Sequence, residues 1–218
     1  MTPTEQLRAL NTDHHKRMAS DAGARRNTER DGEIRRLDME SRRAICGAML
    51  GAESRYNLRG RKTVLELGAG YGGDIPYLLD YFGLSHYQGI EVVPEVAEAS
   101  GGLRIAQGSF EDIAEKQSIH MKAYGFIYSR HVMEHVLDVP RAMKALKTLL
   151  APGGVIGAVT PHYFPDPEPA HVTQLNVAQW MQAYEDHGFR VVYAMERAFA
   201  CPEAHIVAIY EGDFDPSL

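Results

Sequence analysis

The sequence predicts an α/β protein: a doubly wound, mostly parallel sheet of seven strands, helices on both faces, and extra helices at the N-terminus. Three observations point there. Short apolar runs suited to interior strands alternate with stretches of helical spacing, the arrangement that builds a parallel sheet. The first run, Val64-Leu65-Glu66-Leu67, passes straight into the glycine turn Gly68-Ala69-Gly70-Tyr71-Gly72-Gly73. Beyond Asp74, residues Ile75, Leu78, Leu79 and Phe82 recur at helical spacing, so a helix begins where the turn ends.

The elements follow in order. A helix is expected over 3–20, then a polar segment to Asp31. A second helix spans 33–51, with Ile34, Leu37, Ser41, Ala44, Ile45 and Ala48 as its inner stripe and Gly51 as its stop. Residues 62–67 form the first strand, 73–82 a helix and 87–91 the second strand, after which Pro94 opens a short helix. Strands three and four are placed at 103–107 and 124–129. Asp138 is a suitable N-cap, with Pro140 just inside a helix that runs to Leu150. Pro152-Gly153-Gly154 ends that helix, and the fifth strand covers 154–160. A helix at 174–187 precedes strands six (189–195) and seven (204–210). The chain thus divides into an N-terminal helical cap, 1–60, and a cofactor-binding body, 61–218. The proline-rich stretch from Thr160 to His171 is long for a loop in a compact domain; it reads either as a lid or as a rigid surface loop.

Composition bounds the function. A chain of 218 residues with 44% apolar content can bury one full α/β core, and no apolar run approaches membrane-spanning length. Residues 1–60 hold 12 Lys/Arg against 9 Asp/Glu, whereas 61–218 hold 11 against 20. An acidic body argues against nucleic acid, which needs clustered cations. Arg35, Arg36, Arg42 and Arg43 read as a solvated helix face alternating with Asp38 and Glu40. The polar N-terminus shows no secretory signal, and Cys46 and Cys201 build no disulfide framework. A reducing cytoplasm is the expected setting; a homo-oligomer stays open.

The turn itself points to a nucleotide-type cofactor. Gly68 and Gly70 let backbone approach a ligand where a Cβ would collide, and the free N–H groups of the following helix face the same place. The pattern satisfies G-x-G-x-x-G, but Glu66 would repel a pyrophosphate while suiting an ammonium group. Glu91 ends the second strand 23 residues after Gly68, where a carboxylate can accept both ribose hydroxyls. These acids favour a positively charged nucleoside without phosphate.

At this point the chain resembles the class I S-adenosylmethionine-dependent methyltransferases, notably the small-molecule group with a "LEH" segment after strand four. The resemblance rests on Leu65-Glu66-Leu67-Gly68-Ala69-Gly70, Gly89-Ile90-Glu91-Val92-Val93-Pro94-Glu95 and Gly108-Ser109-Phe110-Glu111-Asp112. It continues through Ile127 to Val136, which includes Met133-Glu134-His135, and through Leu150-Ala151-Pro152-Gly153-Gly154 to Gly188-Phe189. It implies a last strand inserted antiparallel and S-adenosyl-L-methionine as cofactor. Gly68, Ala69 and Gly70 would then serve the methionine portion, with Glu66 on its ammonium, Asp74 at the helix mouth and Glu91 on the ribose. Val92 would lie on the adenine face, Ser109 and Phe110 at its edge, and Ser129 and Arg130 would close the pocket. The family often has aspartate where Ser109 stands, which brings Glu111 or Asp112 into consideration.

Methyl transfer asks the protein mainly for alignment and water exclusion, and an oxygen acceptor adds a general base. His131, His135 and His162 are the candidate bases, although His135 also suits a purely structural role. Tyr71, Tyr163 and His171 are the candidate acceptor contacts. His131-Val132-Met133-Glu134-His135 is also H-x-x-E-H, the inverted zinc-protease signature; its place directly after a strand at the carboxyl edge of the sheet favours the cofactor pocket instead, and no metal site is assigned. The expected activity is methyl transfer to an oxygen or nitrogen of a small-molecule or sugar-like acceptor. An NAD(P)-dependent oxidoreductase and a catalytically silent cofactor-binding interaction module are the alternatives.

Overall fold

A computed structural model describes residues 29–56, 62–83, 86–99, 104–119, 123–162, 169–198 and 201–212. The helix expected over 3–20 lies outside them, as do Tyr163 and the proline-rich loop from 163 to 168.

Seven strands form one sheet in the order β3-β2-β1-β4-β5-β7-β6. They are β1 (Thr63–Leu67), β2 (His86–Glu91), β3 (Ile105–Gln107), β4 (Tyr124–Arg130), β5 (Leu150–Pro161), β6 (Phe189–Ala198) and β7 (Pro202–Tyr210). β7 pairs antiparallel with both β5 and β6, while the pairs from β3 through β5 are parallel. The strand order reverses between β1 and β4, the switch point where open α/β sheets hold their ligands.

Helices cover both faces. α1 (Glu29–Tyr56) and α2 (Ile75–Phe82) lie on one side; their Ile45, Cys46, Met49, Leu78 and Phe82 pack with Val64, Phe126, Val155 and Val159 of the sheet. On the other side are α4 (Phe110–Lys116), α5 (Val139–Leu149) and α6 (Val177–Asp186). There Ile113, Leu146, Leu149, Trp180 and Tyr184 meet Leu65, Leu67, Ile127 and Ile156. α3 (Pro94–Ala99) is a short turn after β2, and Met133–His135 form one 3₁₀ turn after β4.

Most expected elements stand within a few residues of their places, and four differences have physical causes. α1 runs through Gly51 to Tyr56; one exposed glycine costs a helix only about 1 kcal/mol, and burial of Ala52 beyond it outweighs that. The buried stripe is Ser41, Ile45, Cys46, Met49 and Ala52, shifted from the expected one. Helix α4 was not expected; Ser109 caps it by accepting from the Asp112 N–H at 3.2 Å, and Glu111 and Asp112 sit in its first turn. β5 begins at Leu150, so α5 passes into it directly and Pro152-Gly153-Gly154 lies inside an irregular start of the strand rather than before it. α1 approaches β5 closely at Gly157, where a Cβ would stand 2.2 Å from Met49 Sδ.

Candidate active site

The site is built at the carboxyl ends of β1, β2 and β4. Parallel register places Leu67 beside Ile90 on one flank and beside Ser129 on the other, so the three strand ends converge. The turn after β1 holds Gly68 at φ 62° and Gly70 at φ 53°, the left-handed region that favours glycine. The two glycines serve different ends. A Cβ on Gly68 would meet Val132 Cγ2 at 2.4 Å, whereas a Cβ on Gly70 would have no heavy atom of the other described residues, its chain neighbours apart, within 4 Å. Gly68 therefore admits the segment after β4, and Gly70 leaves open space.

Acids surround that space. Glu91 is buried; its Oε2 accepts from the Gly70 N–H at 2.9 Å and its Oε1 from the Val93 N–H at 2.9 Å. Each oxygen keeps a further lone pair for a hydroxyl. Glu66, also buried, accepts from the Tyr87 hydroxyl at 2.6 Å. Burial, with Asp74 nearby, pushes its carboxyl up to about 8. A cationic ligand group beside it would favour the charged form. The open volume above Gly70 and this proton-holding acid fit a sulfonium nucleoside with an ammonium end.

Asp74 is bound on every side by protein. Its Oδ1 accepts from Arg42 Nε at 2.5 Å; its Oδ2 accepts from the Tyr128 hydroxyl at 2.8 Å and Arg130 Nε at 3.0 Å. Arg42 and Arg130 both reach on to Asp38, Arg130 at 2.6 Å. Burial would raise Asp74, but Arg130 and Arg42 outweigh it and hold the carboxyl below its ordinary range. Arg42 is thus no solvated surface cation: its side chain is 13% exposed, while Arg35, Arg36 and Arg43 are exposed as expected. Arg130, expected at the pocket mouth, spends its guanidinium on this cluster.

Val92 lines a cavity of about 620 Å³ beside the ends of β2 and β3, together with Gln107, Gly108, Asp112 and Ile113. Ser109 gives its hydroxyl to the α4 cap, and Phe110 packs in the core beneath. Ser129 Oγ is buried with no hydrogen-bond partner among the described residues. Tyr71, 58% exposed, stands out from the turn and packs into no core.

The histidines separate. His131 follows β4 at φ 55°, an uncommon conformation for a non-glycine residue that costs about 1–2 kcal/mol. Its Nε2–H donates to Glu203 Oε1 at 3.1 Å. Glu203, buried at the start of β7, also accepts from Ser41 at 2.7 Å and from His205 Nε2 at 3.0 Å. Burial would raise this carboxyl, yet hydrogen bonds from His131 and His205 hold it well below the usual range. Sequence reading missed Glu203; its partner lies 72 residues away, and no local motif marks it. His135 belongs instead to the 3₁₀ turn, where its Nδ1 meets the Ala170 carbonyl at 2.8 Å and its ring stands edge-on to His171 with centroids 5.0 Å apart. H-x-x-E-H therefore lies on no continuous helix, and its two histidines face different partners. His162, after β5, reaches Glu196 at 3.3 Å. Glu134, between them, is fully buried and neither carboxylate oxygen has a hydrogen-bond partner among the described residues; burial pushes it up to about 8.

Known proteins share this fold. Residues 40–194 match a family model described as a methyltransferase domain. A structure from Galdieria sulphuraria, put forward as a sarcosine dimethylglycine methyltransferase, superposes with a TM-score of 0.66 at 15% identity, covering 83% of this chain and 89% of that one. An S-adenosylmethionine-dependent methyltransferase from Aquifex aeolicus gives 0.57 at 20% identity, over 82% and 97% of the two chains. The Haemonchus contortus phosphoethanolamine N-methyltransferase 2, solved with S-adenosyl-L-methionine, gives 0.56 at 12% identity over 69% and 49%. No curated protein matches the sequence. The chain belongs to the methyltransferase-domain family: it is a class I, S-adenosylmethionine-dependent methyltransferase.

Proposed function

We propose that the protein methylates an oxygen or nitrogen of a small-molecule or sugar-like acceptor, with His131 as general base. One observation carries this reading. Val132 touches the cofactor turn at Gly68, and the adjoining His131 is held by a buried carboxylate. Because Nε2–H is committed to Glu203, Nδ1 is the basic nitrogen, and Glu203 stabilises the cation that forms when it takes a proton. S-adenosylmethionine, when bound, supplies an activated methyl group. Gly68, Ala69 and Gly70 would hold its methionine end, Glu66 its ammonium and Glu91 its ribose, with Val92, Ser109 and Phe110 around the adenine. Asp74, Ser129 and Arg130 would close the pocket wall. Tyr71, Tyr163 and His171 would line the acceptor side, with His162 as a secondary candidate for proton transfer.

The reading treats 1–60 as a cap and 61–218 as the catalytic body working in the cytoplasm without nucleic acid. Among the described residues no helix is long and apolar enough to cross a membrane. A labelled-methyl screen over small-molecule acceptors tests the activity. On any acceptor found, His131→Ala and Glu203→Gln should each lower kcat by about 10²-fold or more while leaving affinity for the demethylated cofactor unchanged. Equal losses in turnover and cofactor affinity would argue for a packing role. Binding of NADH in place of the sulfonium nucleoside would favour an oxidoreductase.

A further inference from the structure

We propose that Glu134, His135 and His171 form a site for one divalent transition-metal ion of the zinc, iron or manganese class. Their ligand atoms all lie within 4.8 Å of one another. His135 Nε2 is 3.8 Å from Glu134 Oε1, and ligands about 2.0–2.2 Å from one ion stand about 3–4 Å apart. Side-chain adjustment alone closes the set.

Three further facts make this more than a cluster. First, Glu134 is 0% exposed, and both of its carboxylate oxygens lack a hydrogen-bond partner among the described residues. Such a group is costly unless a cation or donor meets it. Second, His135 is oriented as metal ligands usually are: its Nδ1–H donates to the Ala170 carbonyl at 2.8 Å, and its Nε2 lies on the Glu134 side, 3.8 Å from Oε1. Third, the segment bearing His171 is tied to the 3₁₀ turn. The Thr173 N–H donates to the Glu134 carbonyl at 2.9 Å and the Thr173 hydroxyl to the Val136 carbonyl at 2.5 Å. The His171 backbone is therefore held beside Glu134 before any ion arrives.

Two imidazoles and one carboxylate suit zinc, iron or manganese, and suit magnesium or calcium poorly. Three protein ligands leave coordination positions open for an oxygen donor. A hydroxyl of the acceptor is the group they would take; this clause alone rests on the methyl-transfer reading above. A metal so placed would lower the pKa of that hydroxyl and orient it.

The test needs neither cofactor nor acceptor. Full-length protein is dialysed against a chelator, then titrated with Zn²⁺ and with Mg²⁺ by calorimetry, with bound metal counted by elemental analysis. One equivalent of Zn²⁺ should bind at micromolar or lower Kd, raise the melting temperature, and exceed Mg²⁺ affinity at least 100-fold. Glu134→Gln and His171→Ala should each weaken Zn²⁺ at least 10-fold. The His171 side chain is not in the core, so His171→Ala keeps the test usable should Glu134→Gln fold poorly. Absence of Zn²⁺ binding, or binding at parent affinity in folded His171→Ala, overturns the site. A Co²⁺-loaded sample whose visible spectrum is unmoved by acetohydroxamate overturns the open positions only.

Discussion

Replacing Gly70 with alanine separates ligand space from protein packing. The residue sits at φ 53°, and its N–H donates to Glu91 Oε2 at 2.9 Å. Left-handed backbone costs a non-glycine residue about 1–2 kcal/mol, so Gly70→Ala should lower the stability of the free protein by that amount and no more, since among the described residues nothing beyond its chain neighbours lies within 4 Å of the new methyl. The same methyl enters the space assigned to the methionine portion of the cofactor. Any retreat of the backbone to relieve that contact strains the bond to Glu91. Affinity for S-adenosylhomocysteine, read by calorimetry, should fall at least 10-fold, or about 1.4 kcal/mol. Gly68→Ala is the contrasting variant: its methyl would stand 2.4 Å from Val132 Cγ2, so it should lose stability even without ligand. A folded Gly70→Ala protein with parent affinity would refute the placement of the cofactor over this turn.

Two further outcomes follow from the buried acids. Glu66 titrates near 8 in the folded protein against an ordinary value near 4.5. A raised acid contributes stability below its unfolded pKa and loses it as pH climbs through the folded value, so Glu66→Gln should flatten the decline in stability between about pH 5 and 8. Holding an ammonium requires the ionised form, so cofactor binding should release a proton and tighten with rising pH across that window. Calorimetry in buffers of different ionisation enthalpy reads this; no proton release at pH 6.5 would remove Glu66 from the ammonium. Asp74, by contrast, is held low, so its contribution is present above its unfolded pKa and lost as pH falls through the folded one. Asp74→Asn leaves two half-buried guanidiniums short of an anion and should cost about 3–5 kcal/mol, measured by urea unfolding, with a flattened acid limb. A loss under 1 kcal/mol would mean that water already serves those cations.

The chain announces its sheet through local signals. Val64, Leu65 and Leu67 are apolar because both faces of β1 are covered, and Asp138 and Pro140 mark a helix start by backbone chemistry alone. α4 escaped because seven residues give too little period to detect, although Ser109 followed by Glu111 and Asp112 is a legible cap. The glycine turn was legible for the same reason as β1: its residues are contiguous. Glu203 and Arg42 were not. Arg42 acts through Asp74, 32 residues away, and Glu203 through His131 and Ser41, 72 and 162 residues away; charge on a helix looks the same whether water or Asp74 receives it.

The carboxylate of Asp74 joins three parts of the chain that sequence reading kept apart: α1 through Arg42, the end of β4 through Tyr128 and Arg130, and the helix mouth on which it stands. The first helix is consequently a rivet rather than an appendage. A truncation at residue 61 would strip Met49 from Gly157, bare one face of β5 and β7, and take Arg42 from Asp74. A displacement of α1 would therefore be felt at Asp74, at the foot of the glycine turn.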